Sequence, residues 1–174
     1  NFDSVVHLFH CLERQSWQPK RFVFLSSIAA AGPSSESHAL SESDDAHPVD
    51  DYGRAKRMAE DFLLEQNKMP ITVLRPSIVI GPYDTNVLNL YKLAKHGLGL
   101  VPRVNNQRLS FVGVHDLVKA IALVLNDTSV EHRTYFVTND LATTTVDIWK
   151  EVARSLNKKI ALIIAFRDFK DEEY

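Results

Sequence analysis

Two short runs of aliphatic and aromatic side chains constrain this chain more than any other feature: Phe22-Val23-Phe24-Leu25 and Ile71-Thr72-Val73-Leu74. Neither alternates cleanly between apolar and polar positions. Each therefore reads as a strand buried on both faces, as in a parallel sheet covered by helices. The second run ends at Arg75-Pro76, because proline has no N–H with which to continue a central ladder. Segments of helical periodicity flank both runs. Residues 1–15 place Phe2, Val5, Val6, Leu8, Phe9 and Leu12 on one stripe, and residues 51–66 open on acid and carry Met58, Ala59, Phe62 and Leu63 on one face. Helices are further expected over 87–96, 116–125 and 146–156, strands over 109–114, 134–137 and 160–164, and a turn at Gly81-Pro82. Strands that alternate with helices imply βαβ crossovers and a mostly parallel α/β sheet. Only 22–25 and 71–74 read as central strands. A doubly wound sheet normally has more, so this one reads as incomplete.

Composition narrows the function classes. Of 174 residues, 45% are hydrophobic and 24% charged, which is ordinary for a globular protein and unlike a disordered one. A formal net charge of −2 provides no basic field for nucleic acid or a membrane surface, so neither is expected as a partner. No apolar stretch approaches the ~18 residues of a membrane span. The lone Cys11 excludes an internal disulfide and a cysteine-rich metal site. His7 and His10 lie near it without further ligand types, so no metal is expected. A cytoplasmic location fits this cysteine usage.

The candidate chemistry lies at the ends of the two strands. Tyr52 and Lys56 stand four apart in the first turns of a helix, which puts the phenol and the ammonium on one face. An unperturbed tyrosine is a poor base at neutral pH, but a nearby cation and the positive helix N-terminus both favour a phenolate. The pair is therefore a plausible device for proton transfer. Ser27 follows the first strand and Arg75-Pro76 ends the second. Both fall at the carboxyl edge, where open α/β sheets bind ligands. A long polar stretch, residues 32–50, separates Ser27 from the helix, and loops of this length are often functional.

These residues resemble the extended short-chain dehydrogenase/reductase family, which includes NAD-dependent epimerases and dehydratases as well as 3β-hydroxysteroid dehydrogenase-like and dihydroflavonol reductase-like enzymes. The segment from Arg21 through Ser27 is similar to the strand that carries the family's active-site serine, and Gly32 matches the glycine that follows it. Tyr52 and Lys56 match the family's Tyr-x-x-x-Lys. Residues 74–82, Leu-Arg-Pro-Ser-Ile-Val-Ile-Gly-Pro, resemble the segment that lines the nicotinamide, and residues 110–117 a later strand–helix junction.

The resemblance implies a fold and a mechanism. Residues 1–83 would be the C-terminal part of a Rossmann-like dinucleotide-binding domain containing the catalytic Ser, Tyr and Lys. Residues 84–174 would be mainly a small substrate-binding lobe, with helix 116–125 packing back on the sheet. Tyr52 would exchange a proton with a substrate hydroxyl or carbonyl. Lys56 would favour the phenolate and hold the nicotinamide ribose, and Ser27 would bind the substrate oxygen. Tyr52 and Lys56 would also contact the cofactor, the backbone near Pro76, Ser77 and Ile78 would touch the nicotinamide, and Asn1 would match a family asparagine with a catalytic role. The cofactor would be NAD or NADP. The family's glycine-rich phosphate-binding turn and the acidic residue that reads the adenosine ribose are absent from these residues, so the nucleotide-binding half is expected to be missing and the two cofactor forms are not distinguished.

The resemblance also orders the reactions. Family dehydratases follow the active-site hydroxyl with an Asp-Glu pair, whereas Ser27 here precedes Ile28-Ala29-Ala30, which disfavours dehydration. Nucleotide-sugar enzymes place a diphosphate-gripping arginine where this chain has Leu109. Arg108, the candidate substrate-binding residue, is one position off, and a one-residue shift on a strand turns a side chain to the other face. That favours a dehydrogenase or reductase of an alcohol or ketone over a nucleotide-sugar epimerase. His115 and Asp116 follow, with Asp116 expected to cap the next helix. A small-molecule substrate is the expected partner. An incomplete sheet would also expose apolar surface and a strand edge, so a homodimer or a non-catalytic assembly module is the alternative.

Overall fold

The computed structural model describes residues 2–17, 19–35, 38–102 and 108–166. The chain divides into two units: Asn1–Val79 with Val112–Thr138, and Ile80–Phe111 with Asn139–Tyr174.

The first unit is built on a three-stranded parallel sheet of β1 (Phe22–Leu25), β2 (Ile71–Pro76) and β7 (Arg133–Val137), with β2 in the middle. Leu25 pairs with Leu74 and Val137 with Pro76, so all three strands end at one edge. Helices α1 (Phe2–Glu13) and α2 (Asp51–Leu64) enclose a core of Phe9, Phe24, Ala59, Leu63, Ile71 and Val73. Phe9 meets Phe22 and Phe62 edge-on, at centroid distances of 6.1 and 5.7 Å, an arrangement that suits the quadrupoles of aromatic rings. Helix α4 (Val114–Asn126) packs against β1 and β2.

Two expectations change here. Of the two strands expected to be central, only β2 lies between two neighbours among the described residues, because the strand over 134–137 joins its other side. Strand β1 is not buried on both faces: Phe24 is buried but Leu25 is exposed, since α1 and α2 cover the Phe22/Phe24 face while β1 pairs only with β2 among the described residues. Strand β2 ends at Pro76, as expected, with Pro76 opposite Val137. The next residue, Ser77, donates its N–H to the Val137 carbonyl at 3.0 Å. Successive residues of a strand point their N–H groups to opposite sides, so the donor that Pro76 lacks would have faced the β1 side, where β1 has already ended.

The second unit contains α3 (Thr85–Lys95), a parallel pair of β4 (Leu98–Pro102) and β9 (Leu162–Phe166), an antiparallel pair of β5 (Arg108–Leu109) and β8 (Thr143–Thr144), and α5 (Thr145–Ser155). Its core is Ala94, Trp149 and Val152, and the Trp149 indole donates to the Leu100 carbonyl. The short strands β3 (Ile78–Ile80) and β6 (Phe111–Gly113) contain two of the points at which the chain passes from one unit to the other. The single strand expected over 109–114 is thus broken at Ser110. Asp116 is not a cap: α4 begins at Val114 with Gly113 before it, and Asp116 lies in the first turn, paired with Lys119 at 3.0 Å. Among the described residues, no helix is long and apolar enough to cross a membrane.

Candidate active site

The carboxyl edge of the first unit gathers Ser27, Tyr52, Lys56, Pro76 and Ser77 on three consecutive elements. Ser27 leaves β1 in extended conformation and caps a single 3₁₀ turn, Ile28–Ala30, by accepting the Ala29 N–H at 3.2 Å. An accepting hydroxyl keeps its own O–H to donate. The chain then loops away and returns, and the His47 N–H donates to the Ala31 carbonyl at 2.8 Å. Gly32 is held at a φ of 91°, and a Cβ there would lie 2.1 Å from the His47 oxygen, so only glycine fits this crossing. Asp50 caps α2 by accepting the Gly53 N–H at 2.7 Å. That cap, with Gly53 pressed on the 3₁₀ turn, fixes where the first turn of α2 stands relative to Ser27.

Tyr52 is half-exposed in that first turn. One turn on, the Lys56 ammonium donates to the Leu25 carbonyl at 2.8 Å and lies 4.9 Å from the centroid of the Phe24 ring and 5.8 Å from that of Tyr52. Burial pulls the Lys56 proton affinity below its ordinary value, and the Glu60 carboxylate one turn further on opposes this.

Glu60 was not singled out in the sequence. It is fully buried, and its partners Ser26 and Arg75 are nearly so. Arg75 grips the carboxylate through Nε, at 2.9 Å from Oε1, and through Nη2 to Oε2, and the Ser26 hydroxyl donates to Oε1. Arg75 also lies 5.6 Å from the centroid of the Phe136 ring. Tyr52, Lys56 and Glu60 recur every four residues, a spacing that forms one stripe on a helix. That periodicity is the signal that could have found Glu60.

Ser77 is buried, and among the described residues its hydroxyl has no hydrogen-bond partner. Ile78 beside it is exposed. Asn1 lies outside the described residues. Arg108 belongs to the second unit, on β5 opposite Thr144, where its charge bears on Asp147. The loop from Gly32 to α2 reaches β7: Glu42 accepts the Phe136 N–H at 2.9 Å.

The comparisons with known proteins agree with this architecture. A UDP-glucose 4-epimerase of Vibrio cholerae is 29% identical over 145 residues, which are 80% of this chain and 44% of that protein. A UDP-N-acetylglucosamine 4-epimerase from Methanobrevibacter ruminantium, solved with UDP-N-acetylmuramic acid, superposes with a TM-score of 0.83 at 20% identity, covering 98% of this chain and 57% of the other. The dTDP-glucose 4,6-dehydratase of Bacillus anthracis, solved with NAD, gives a TM-score of 0.83 at 19% identity over 94% of this chain and 54% of the other. The chain spans about half the length of the relatives it matches. The family model for NAD dependent epimerases and dehydratases matches residues 1–137, which run from α1 to the last strand of the parallel sheet and include Ser27, Tyr52 and Lys56. With the α/β fold, this match makes the chain a member of the NAD dependent epimerase/dehydratase family.

Proposed function

We propose that this chain carries the proton-transfer half of an NAD(P)-dependent oxidoreductase site acting on an alcohol/ketone pair. The observation that carries the reading is the placement of Lys56. Its ammonium is docked on the carbonyl that ends β1, beside the Tyr52 ring and two residues before Ser27. An ammonium has three N–H donors, and the Leu25 carbonyl takes one. The remaining donors suit a ribose hydroxyl, and the positive charge favours a phenolate on Tyr52. The buried Ser77 hydroxyl, which has no partner among the described residues, is a polar atom that a bound group at this edge would satisfy, so the residues present fit the nicotinamide end of a dinucleotide.

When bound, the nicotinamide supplies the hydride acceptor and donor. Tyr52 moves a proton between its phenolic oxygen and the substrate oxygen. Ser27 donates its O–H to that same oxygen and fixes its distance. Lys56 holds the ribose and the charge balance, and Pro76, Ser77 and Ile78 border the ring. Asn1 is assigned a supporting catalytic role, and Arg108 the binding of substrate. A small-molecule substrate, a homodimer and a cytoplasmic setting belong to the same reading.

A nucleotide-sugar epimerase is the second reading, and the Vibrio cholerae relative favours it. The same proton and hydride steps would run in both directions at one sugar carbon. The first test is titration of the purified chain with NADH and with NADPH, followed by nicotinamide fluorescence. Micromolar binding supports the reading, and no binding up to millimolar cofactor removes it for this chain. If binding is found, Tyr52→Phe is expected to slow turnover by about 10²–10⁴-fold. Interconversion of UDP-sugars without net cofactor oxidation would select the epimerase.

A further inference from the structure

One carboxylate joins every element of the candidate site. Glu60 is on α2, the helix of Tyr52 and Lys56. The Ser26 hydroxyl that donates to it immediately precedes Ser27, and the Arg75 guanidinium that grips it immediately precedes Pro76 and Ser77. Ser26 and Arg75 are themselves locked in the sheet: the Ser26 N–H donates to the Leu74 carbonyl at 2.7 Å, and Arg75 pairs with Phe136. All three side chains are almost wholly out of solvent.

Packing alone does not require this arrangement. A buried ion pair can often be replaced by apolar side chains of similar volume with no loss of stability. What an apolar replacement cannot do is hold two strand ends at fixed hydrogen-bonding distances from one point on a helix. The charged and titratable neighbours of Lys56 among the described residues are Tyr52 and Glu60 on its own helix, with Arg75 of β2 behind Glu60. Strand β1 offers it the Leu25 carbonyl and the Phe24 ring.

We propose that Glu60 is the positioning residue of this site: through Ser26 and Arg75 it sets the ends of β1 and β2 against α2, and so sets Ser27, Ser77, Tyr52 and Lys56 against one another. The inference rests on the functional reading above only for what the site does, not for how it is held.

The test uses the whole chain and two variants. Ser26→Ala removes one strand from the carboxylate and leaves the ion pair intact. Glu60→Leu combined with Arg75→Met replaces the pair by apolar side chains, which avoids the unpaired buried charge that would unfold a single variant. Two readouts need no cofactor. The first is the pH profile of Lys56 acetylation by acetic anhydride, read by mass spectrometry against the exposed Lys119. The second is amide hydrogen exchange at Ser26 and Ser77.

In the double variant the Lys56 profile is expected to move to lower pH, because the carboxylate that favours its ammonium is gone. The rate at a fixed alkaline pH would rise on the order of threefold. Ser26→Ala is expected to speed exchange at Ser26 by about fivefold or more and to leave Ser77 unchanged, because only the β1 tie is cut. An unmoved Ser26 amide in Ser26→Ala overturns the proposal, whether or not the double variant folds. So does a double variant that folds like the parent with an unchanged Lys56 profile. If the parent binds neither NADH nor NADPH while these shifts appear, the functional reading fails and the positioning role stands. If the parent binds cofactor and neither readout moves, the reverse holds.

Discussion

A Cβ built on Gly53 would lie 2.3 Å from the carbonyl oxygen of Ala29. The first turn of α2 therefore touches the 3₁₀ turn backbone to backbone, with no room for a methyl group. Gly53→Ala, which on an open helix would be mildly favourable, is expected to destabilise this chain by about 3 kcal/mol, because backbone on both sides must give way. Urea denaturation checks this. A loss below about 0.5 kcal/mol would show that the two turns separate easily and do not fix the site.

Lys56 gives a stability signature in alkali. Burial disfavours its ammonium in the folded chain, so its folded proton affinity lies below the ordinary value of 10.5, the Glu60 carboxylate notwithstanding. Between that lowered value and 10.5 the unfolded chain still holds a proton that the folded chain has released, so stability rises with pH across the window. Lys56→Met has no such term. Relative to this variant, the parent is expected to gain stability as pH is raised from neutral to about 10.5, measured by denaturant midpoints. A difference that stays flat over this range would contradict the desolvation argument.

Asp147 works in the opposite sense and in the other unit. The Thr144 hydroxyl and then Lys150 hold its carboxyl below the ordinary 3.8, while the Thr144 oxygen accepts the Asp147 N–H at 3.2 Å and caps α5. A lowered carboxyl contributes stability that is fully present above 3.8 and is lost as pH falls through the folded value. The gap between the parent and Asp147→Asn should therefore be full at neutral pH and close in stronger acid. Thr144→Ala should cost about 1 kcal/mol through the lost cap. Acid titration followed by circular dichroism reads both, and an Asp147→Asn gap that survives below the folded value counts against the assignment.

Glu42 ties the long loop to the sheet by accepting the Phe136 N–H. Glu42→Ala should leave that amide to water and speed its hydrogen exchange by about tenfold, with little change at Leu74 in the middle strand. Equal protection in both proteins would mean that the loop is anchored elsewhere.

Much of this was legible because local pattern and tertiary role coincide. Residues 22–25 and 71–74 are strands in either sense, and the four-residue spacing of Tyr52 and Lys56 is fixed by helix geometry alone. What was hidden depends on pairings remote in the chain. Glu60 reads as one more charge on a solvated helix until Arg75, fifteen residues later, is seen to pair with it. Pro76 does end β2, but the side to which its missing donor would point is decided by register with β7. Residues 98–102 form a strand although Gly97 before it and Gly99 within it weaken the local signal: a Cβ at Gly99 would already be in contact with the Trp149 ring at 3.4 Å.

The stripe of Tyr52, Lys56 and Glu60 carries its information as phase. Each residue inserted into α2 would rotate everything beyond it by about 100°. One extra residue between Gly53 and Ala59 would thus part the phenol from the carboxylate below it, even though every side chain were retained. The same insertion among residues 38–46 would lengthen a largely exposed excursion and leave the phase untouched. Tolerance to length change should therefore switch at His47, where the chain meets Ala31 and Gly32, from a segment in which residues can be gained or lost to one in which the count itself matters.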